Sequence, residues 1–570
     1  MVYTVLESAF AELSKSESII RDFKDLKKGY IEKWEFNTEI QVNSFLVEVS
    51  FYMYFKESFP LSIPKVYVTE DSYNKLKYIP HLDSDKSICI FEEDTLILDP
   101  DNPKGIILTC LRRIKTIIQE GLEGSNSDDF RNEIKAYWVQ QYSKEPEVKI
   151  LSYLNLLSVY PTETCLIKLN KLEPHYRGFS YILSDEAKVS SLFLEFFRVK
   201  GYKLKEQEAL FLSDYKLEEQ PPYSIKNKDL QTKISCESFP LFRKYINQSL
   251  PISKYIFFRN GEHIFGWVHT AFNTKKNGFR PGRLSNWKVF TNFQKNDYVN
   301  RIYVNTYNND RIEKRTAGII QPKLKFLIAG LGSVGSNLIY FLNAVNYPDY
   351  KLIDEDILKI ENIGRHLLGI DSIHAPKTEG IKKYIKNTRP DQSVEIKTTK
   401  LETVLLHHIE FVNDNDYAFI AIGNQNIENF LLKLINTGEI TVPVFILWVE
   451  PYLLGGHCLY IHPENKITEN CIFENYIYLY NVISSSEYRA NNPLLSKNEA
   501  GCQTSYSPYS QNDLVLFLSE IYKEINSIIK RASKESVVIR WTGNTLIADE
   551  LNISLNRNIG KSYSYQITKL

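Results

Sequence analysis

Cysteine is scarce in this chain, with seven in 570 residues, at Cys89, Cys110, Cys165, Cys236, Cys458, Cys471 and Cys502. The odd count and irregular spacing exclude a disulfide framework, and the lack of any C-x-x-C pair argues against a four-cysteine zinc site. Long apolar runs are also missing. The most apolar stretch, Val442 to Val449, falls far short of the ~20 residues that span a bilayer. No charge sign dominates, since Lys+Arg and Asp+Glu both number 69. Composition therefore gives no electrostatic case for nucleic acid or an anionic membrane as partner. Met1 to Phe10 carries Glu7 and lacks a basic segment leading into an apolar one, so no signal peptide is expected and a cytoplasmic location is. Internal repeats and low-complexity tracts are absent too.

What is present reads as a multidomain globular chain. Hydrophobic residues make up 43% and charged residues 24%, and the length implies two to four cores. Apolar positions at Leu6, Phe10, Leu13, Ile19 and Ile20 predict a helix over Leu6–Phe23. Phe45–Phe55 alternates as a strand, and Phe59-Pro60 to Val68 reads as a turn feeding another. Helical patterns follow at Ile106–Glu120 and Asp129–Gln141. The middle of the chain mixes both kinds of element without a chemical signature. A hairpin is expected around Asn260-Gly261, and Gly278–Arg283 reads as a solvated basic loop. From about residue 295, apolar runs at Lys323–Ala329, Tyr350–Asp354, Tyr417–Ile422 and Val442–Val449 alternate with helical patterns. That order predicts a doubly wound sheet.

Gly330-Leu331-Gly332-Ser333-Val334-Gly335 directly follows the first of these strands and opens the helix Leu338–Val345. Glycines there permit a tight turn and let backbone N–H groups approach a phosphate at a helix N-terminus. Asp354, ending the next strand, is placed for a ribose hydroxyl. To this point NAD and ATP fit equally. Asn362, Arg365 and Lys377 then follow within one connection, and a triphosphate needs such donors where a dinucleotide does not. An NAD-dependent oxidoreductase and a nucleotide-binding scaffold without catalysis remain as alternatives, with activation of a sulfur carrier as a third.

The ordered set Gly330/Gly332/Gly335, Asp354/Asp356, Asn362/Arg365 and Lys377 resembles the ThiF/ubiquitin-activating superfamily of adenylating enzymes. The resemblance implies attack of a protein C-terminal carboxylate on the α-phosphate of ATP-Mg²⁺, with the metal beside the aspartate of a T-D-N sequence or, where that acid is lacking, held more by Asp356 or the nucleotide phosphates. It also implies that Arg311 and Arg315 reach a nucleotide, often across a homodimer. Where the family carries T-D-N, this chain has Gly423-Asn424-Gln425, so an uncharged Asn424 stands at the expected acid. Cys502, in Glu499–Thr504, sits where the family places its thioester cysteine, and Cys471 is the rival.

The N-terminal segment resembles a divergent bacterial ubiquitin-conjugating enzyme through Phe59-Pro60…Pro64-x-Val66, Pro80-His81-Leu82…Cys89 and Asp129-Phe130…Tyr137-Trp138. The H-P-N triplet is absent. The resemblance implies Cys89 as the conjugating cysteine, with His81 or a backbone N–H supporting the oxyanion.

Both ends together resemble the conjugating–activating fusions of bacterial CBASS anti-phage operons. Three α/β parts are expected: a ubiquitin-conjugating-like α+β domain (1–148), a mixed middle domain (149–292) and a Rossmann-like adenylation domain (293–570). The resemblance implies ATP and Mg²⁺ as cofactors, a cGAS-like nucleotidyltransferase C-terminus as acyl donor and a target lysine as acceptor.

Overall fold

The computed structural model describes the chain apart from residues 1–5, 8–9, 11–17, 22–25, 93–94, 141–150, 178, 219, 222, 249–252, 270–277, 281–283, 346, 475–476 and 499–504. It divides into two compact units. One comprises Met1–Asp185 with Tyr202–Tyr307, the other Glu186–Gly201 with Asn308–Leu570.

The first unit opens with a five-stranded antiparallel sheet in sequence order: β1 (Ser18–Arg21), β2 (Glu32–Val42), β3 (Phe45–Phe55), β4 (Lys65–Val68) and β5 (Ser87–Ile88). Alternation sends Trp34, Phe36 and Ile40 of β2 and Val49, Phe51, Met53 and Phe55 of β3 to one face. Helix α1 (Pro103–Glu123) covers that face with Ile107, Cys110, Ile114, Ile117 and Ile118. Its ends are set by sequence: Asn102 accepts from the Gly105 N–H, Pro103 follows, and Gly124 closes the helix at φ 75°. The helix expected over Leu6–Phe23 is corrected at its end, where Ser18–Arg21 pairs antiparallel with Asn37–Trp34. Adjacent Ile19 and Ile20 satisfy a helical stripe and a strand equally, and β2 supplied the partner. The helix expected over Asp129–Gln141 is two short helices, α2 (Asp128–Asn132) and α3 (Ile134–Trp138), broken at Glu133.

A seven-stranded closed barrel completes this unit: β6 (Leu151–Asn155), β7 (Cys165–Tyr176), β8 (Phe179–Ser184), β9 (Lys203–Leu212), β10 (Lys254–Asn260), β11 (His263–His269) and β12 (Asn300–Thr306), in the order β10-β11-β12-β6-β8-β7-β9. Asn260 pairs with His263 at the expected hairpin. Tyr153, Leu169, Leu183, Phe211, Phe257 and Ile302 belong to one buried barrel cluster. Trp138 of α3 packs in a second cluster with Phe258, Phe265 and Trp267, and its indole N–H donates to the Ile302 carbonyl at 2.9 Å. The boundary expected at residue 292 falls one strand early, because Asn300–Thr306 closes the barrel against β11 and β6.

The second unit is built on an eight-stranded sheet. Its strands are β13 (Lys325–Ala329), β14 (Asp349–Ile353), β15 (Val394–Lys397), β16 (Tyr417–Ile420), β17 (Val444–Val449), β18 (Gly455–Ile461) and, after two short ribbons, β23 (Val537–Thr542) and β24 (Ser564–Lys569). The ribbons are β19 (Phe473–Glu474) with β20 (Ile477–Tyr478), and β21 (Lys497–Asn498) with β22 (Ser505–Tyr506). The order β15-β14-β13-β16-β17 is parallel, and β18, β23 and β24 extend it antiparallel. The doubly wound sheet expected here is present, with buried clusters on both faces. The helices that matter below are α4 (Ser333–Val345), α5 (Lys377–Thr388), α6 (Gln425–Thr437) and α7 (Gln511–Arg531). Strand order reverses between β13 and β16, and a ligand crevice is expected at the carboxyl ends of those two strands.

Candidate active site

Residues 330–335 turn from β13 into α4 at that reversal. Gly330 holds φ 86°, and a Cβ on it would stand 2.6 Å from the Ala421 carbonyl oxygen. A Cβ on Gly335 would meet the Gly330 oxygen at 1.9 Å, so these two glycines are required by packing. Gly332 differs: a Cβ there would meet nothing within 4 Å. The open side of the loop faces two cavities. One, of about 280 Å³, is lined by Gly332, Asp354, Asp356, Lys377 and Asn424. The other, of about 590 Å³, is lined by Gly332, Ser333, Asn362, Arg365, Trp448 and Tyr509. Open space over a glycine turn at the start of a 13-residue helix fits a phosphate chain.

Asp354 is less free than expected. Its Oδ2 accepts from the Leu331 N–H at 2.6 Å and its Oδ1 from the Asp356 N–H at 2.8 Å. It thus ties β14 to the glycine loop, and burial raises its pKa. Asp356 accepts from Lys377 Nζ at 2.7 Å, with the lysine side chain 8% exposed and the aspartate 63%. Asn362 lines the second cavity while its Oδ1 accepts from the Lys359 N–H. Arg365 donates from NH1 to the Ser507 carbonyl at 2.9 Å and lies over the Tyr509 ring. Asn424 lines the first cavity, and its Oδ1 caps α6 by accepting from the Asn426 and Ile427 N–H groups. Arg311 and Arg315 are exposed on Asn309–Ala317 and line neither cavity.

Four participants carried no signal of their own in the sequence. His366, beside Arg365, bonds the Leu331 carbonyl through Nε2 at 2.7 Å and takes the Leu368 N–H on Nδ1, which makes Nε2 the donor. Burial lowers its pKa to about 4, so it stays neutral. Asn337 donates to the Ser333 and Arg365 carbonyls, linking the glycine loop to the arginine turn. Tyr509 shares a short hydrogen bond with Ser333. Glu428 lines the second cavity from α6. Two of these could have been sought beside known positions, since His366 follows Arg365 directly and Glu428 lies one helical turn after Asn424.

Of the candidate nucleophiles, Cys502 lies outside the described residues. Cys471 is exposed, with Sγ 3.3 Å from Thr468 Oγ1. In the first unit Cys89 is exposed just after β5, and its N–H donates to the His81 carbonyl at 2.9 Å. Burial raises its thiol pKa, opposed by Lys65 and reinforced by Asp83, Glu133 and Glu92. His81 sits at φ 65°, its N–H donating to Tyr137 Oη at 2.8 Å. Its ring lies between Asp129 (3.1 Å) and Glu133 (3.5 Å). Helices α2 and α3 thereby fix the histidine beside the strand end that carries Cys89.

Comparison with known proteins assigns both ends. Prokaryotic E2 family B matches residues 13–146, and the ThiF family matches residues 321–475. The chain is 29% identical over 77 residues to an ATP-dependent ubiquitin transferase-like protein, Cap2, of Pseudomonas aeruginosa, covering 14% of each. It is 26% identical over 101 residues to a SAMP-activating enzyme E1 of Haloferax volcanii (18% of this chain, 37% of that protein). A molybdopterin-synthase adenylyltransferase of Haemophilus influenzae is 29% identical over 134 residues (23% and 54%). The chain thus spans about half or less of each relative's length. No helix among the described residues is long and apolar enough to cross a membrane. The chain is a fusion of a prokaryotic E2 domain with an E1-like ThiF domain.

Proposed function

We propose that the chain activates the C-terminal carboxylate of a partner protein with ATP, carries it as a thioester and ligates it to an amine. The observation that carries this reading is the open glycine turn at the sheet reversal with Lys377 and Arg365 on its two cavities, in one polypeptide with an E2 domain. The partner's carboxylate oxygen attacks the α-phosphorus, pyrophosphate leaves, and an acyl-adenylate results. The α4 N-terminus, Lys377 and Arg365 stabilise the charge that gathers on the phosphates. When bound, Mg²⁺ supplies further neutralisation of the leaving pyrophosphate. A thiolate then displaces AMP, and Cys502 is the proposed acceptor, with Cys471 as the alternative. Exchange to Cys89 follows, and the target lysine amine attacks that thioester, releasing the Cys89 thiolate. His81 lies beside Cys89 to support this last step.

The proposed donor is a ubiquitin-like modifier in the broad sense, here the C-terminus of a cGAS-like nucleotidyltransferase in cytoplasmic anti-phage defence, and a homodimer is the proposed assembly. The likeness to an ATP-dependent ubiquitin transferase-like protein supports transfer of a ubiquitin-like modifier, and the cGAS-like donor rests on the resemblance that the sequence carries. The test is thioester trapping on non-reducing gels with full-length chain, ATP-Mg²⁺ and a cGAS-like nucleotidyltransferase. A reducible adduct that Cys502→Ala abolishes everywhere, and Cys89→Ala abolishes only in its second form, is expected. An adduct persisting on Cys89 in Cys502→Ala overturns the relay order. No adduct and no ATP–pyrophosphate exchange overturns the activity.

A further inference from the structure

One acid in the larger cavity has no side-chain partner among the described residues. Glu428 is 2% exposed, both Oε1 and Oε2 are buried, and the Asn424 main chain is the group that favours its charge. It lines that cavity with Ser333, Asn362, Arg365 and Gln425. Buried polar groups are almost always well paired, so a carboxyl at a ligand cavity that no side chain meets among the described residues calls for a ligand that pairs it.

The acid expected beside a metal, Asp356, and the one expected at the ribose, Asp354, are already engaged. Asp356 accepts from Lys377, and Asp354 accepts from two main-chain N–H groups. Asn424, at the position where the family carries an acid, spends its oxygen on the α6 cap. Glu428 follows one turn later on the same helix. Helical side chains lean toward the N-terminus, which returns this carboxyl toward Asn424. The Asn424 main chain is the neighbour that favours its charged form, against the burial that raises its pKa to about 7. Mg²⁺ typically takes one or two carboxylates together with substrate phosphates and water.

We propose that Glu428 is the carboxylate that receives the divalent cation accompanying the nucleotide, in place of the acid that Asn424 lacks. The inference rests on the nucleotide reading of the glycine turn. It gives the departure at Asn424 a physical consequence: capping is retained at the helix start, and the negative charge moves one turn along.

The test uses full-length chain, α,β-methylene ATP, which cannot release pyrophosphate, and Mn²⁺, with binding followed by calorimetry. Mn²⁺ is expected to raise the wild-type affinity for the analogue at least tenfold, and less than twofold in Glu428→Gln. Metal-free affinity in Glu428→Gln should not fall below wild type, because a carboxylate beside the phosphates is removed, and the Mn²⁺ enhancement in Glu428→Asp should fall between. The thermal midpoint of Glu428→Gln should match or exceed that of wild type, because a buried acid without a side-chain partner among the described residues is removed. Equal Mn²⁺ enhancement in wild type and Glu428→Gln overturns the inference and leaves the nucleotide reading standing. A lowered midpoint together with weaker metal-free binding assigns Glu428 a structural role and overturns it too. Absence of analogue binding to wild type overturns the nucleotide reading itself.

Discussion

The Arg365 guanidinium lies over the Tyr509 ring at 4.3 Å and donates to the Ser507 carbonyl at 2.9 Å. The cation assigned to phosphate is therefore already held by the segment that follows Cys502 in sequence. Ser333, on the glycine turn, is bonded to the same tyrosine. On the proposed function, bound nucleotide would compete with this segment for the same donors. ATP is expected to raise amide hydrogen exchange across residues 505–510 in wild type. In Arg365→Ala that exchange should be high without ATP and unchanged by it, with nucleotide affinity lowered about 10- to 100-fold, the loss of a charge-assisted contact or two. Exchange that is unaffected by ATP in wild type would show that the contacts do not compete.

Lys377 is nearly buried at the start of α5, paired to an aspartate that is mostly exposed. The pair positions the ammonium at the smaller cavity. Lys377→Ala should lower ATP–pyrophosphate exchange about 10²- to 10³-fold, as loss of one transition-state donor does. Asp356→Ala should lower it less, because the ammonium remains although its orientation is released. A larger effect from the aspartate than from the lysine, measured under the same conditions, would reverse these assignments.

The glycine turn was legible because its requirement is local. Gly330 and Gly335 are fixed by backbone atoms within the turn and the neighbouring strand end, so spacing alone displayed them. Strands β13, β14, β16 and β17 were legible as apolar runs because both faces of the parallel sheet are covered, whereas the short edge strand β15, with its polar Glu395 and Lys397, was not. The barrel was not, since β12 pairs with β6 some 150 residues earlier and β7 lies between β8 and β9, neighbours that no local pattern encodes. Tyr509 was missed for the same reason: it reaches Ser333 across 176 positions. Asn424 stands where the resemblance expects an acid, and helix capping explains an asparagine at that position without any ligand.

His366 gives the glycine turn a pH limit. Its folded pKa, about 4, lies below the ordinary 6.5 because burial penalises the imidazolium. The unfolded chain therefore binds the extra proton first as pH falls. Stability from this group is complete above about pH 6.5 and is lost as pH falls toward 4, by roughly 3 kcal/mol in total. Hydrogen exchange of peptides spanning residues 326–345, compared at pH 7 and pH 5 after correction for intrinsic rates, should show the loss. His366→Gln should be less protected at pH 7 and should lack the further fall. An equal fall in that variant would assign the acid sensitivity elsewhere.

Cys89 requires the opposite direction. Burial and the nearby Asp83, Glu133 and Glu92 hold its thiol above the ordinary cysteine value, and Lys65 alone among the named causes opposes them. At neutral pH the thiol is therefore protonated, and attack by Cys89 on an incoming thioester should quicken with pH up to and beyond pH 9. Lys65→Ala should slow loading at pH 7.5 several-fold and move the profile to higher pH. Glu133→Gln should do the reverse for loading. That same variant leaves one acceptor oxygen where the His81 ring and the Tyr137 hydroxyl now use two, so release of the acyl group to lysine should slow as loading improves. Single-turnover rates of Cys89 loading and of discharge to free lysine, measured separately across pH 6.5 to 9.5, separate the two roles. Parallel changes in both rates would mean that Glu133 acts only through the fold.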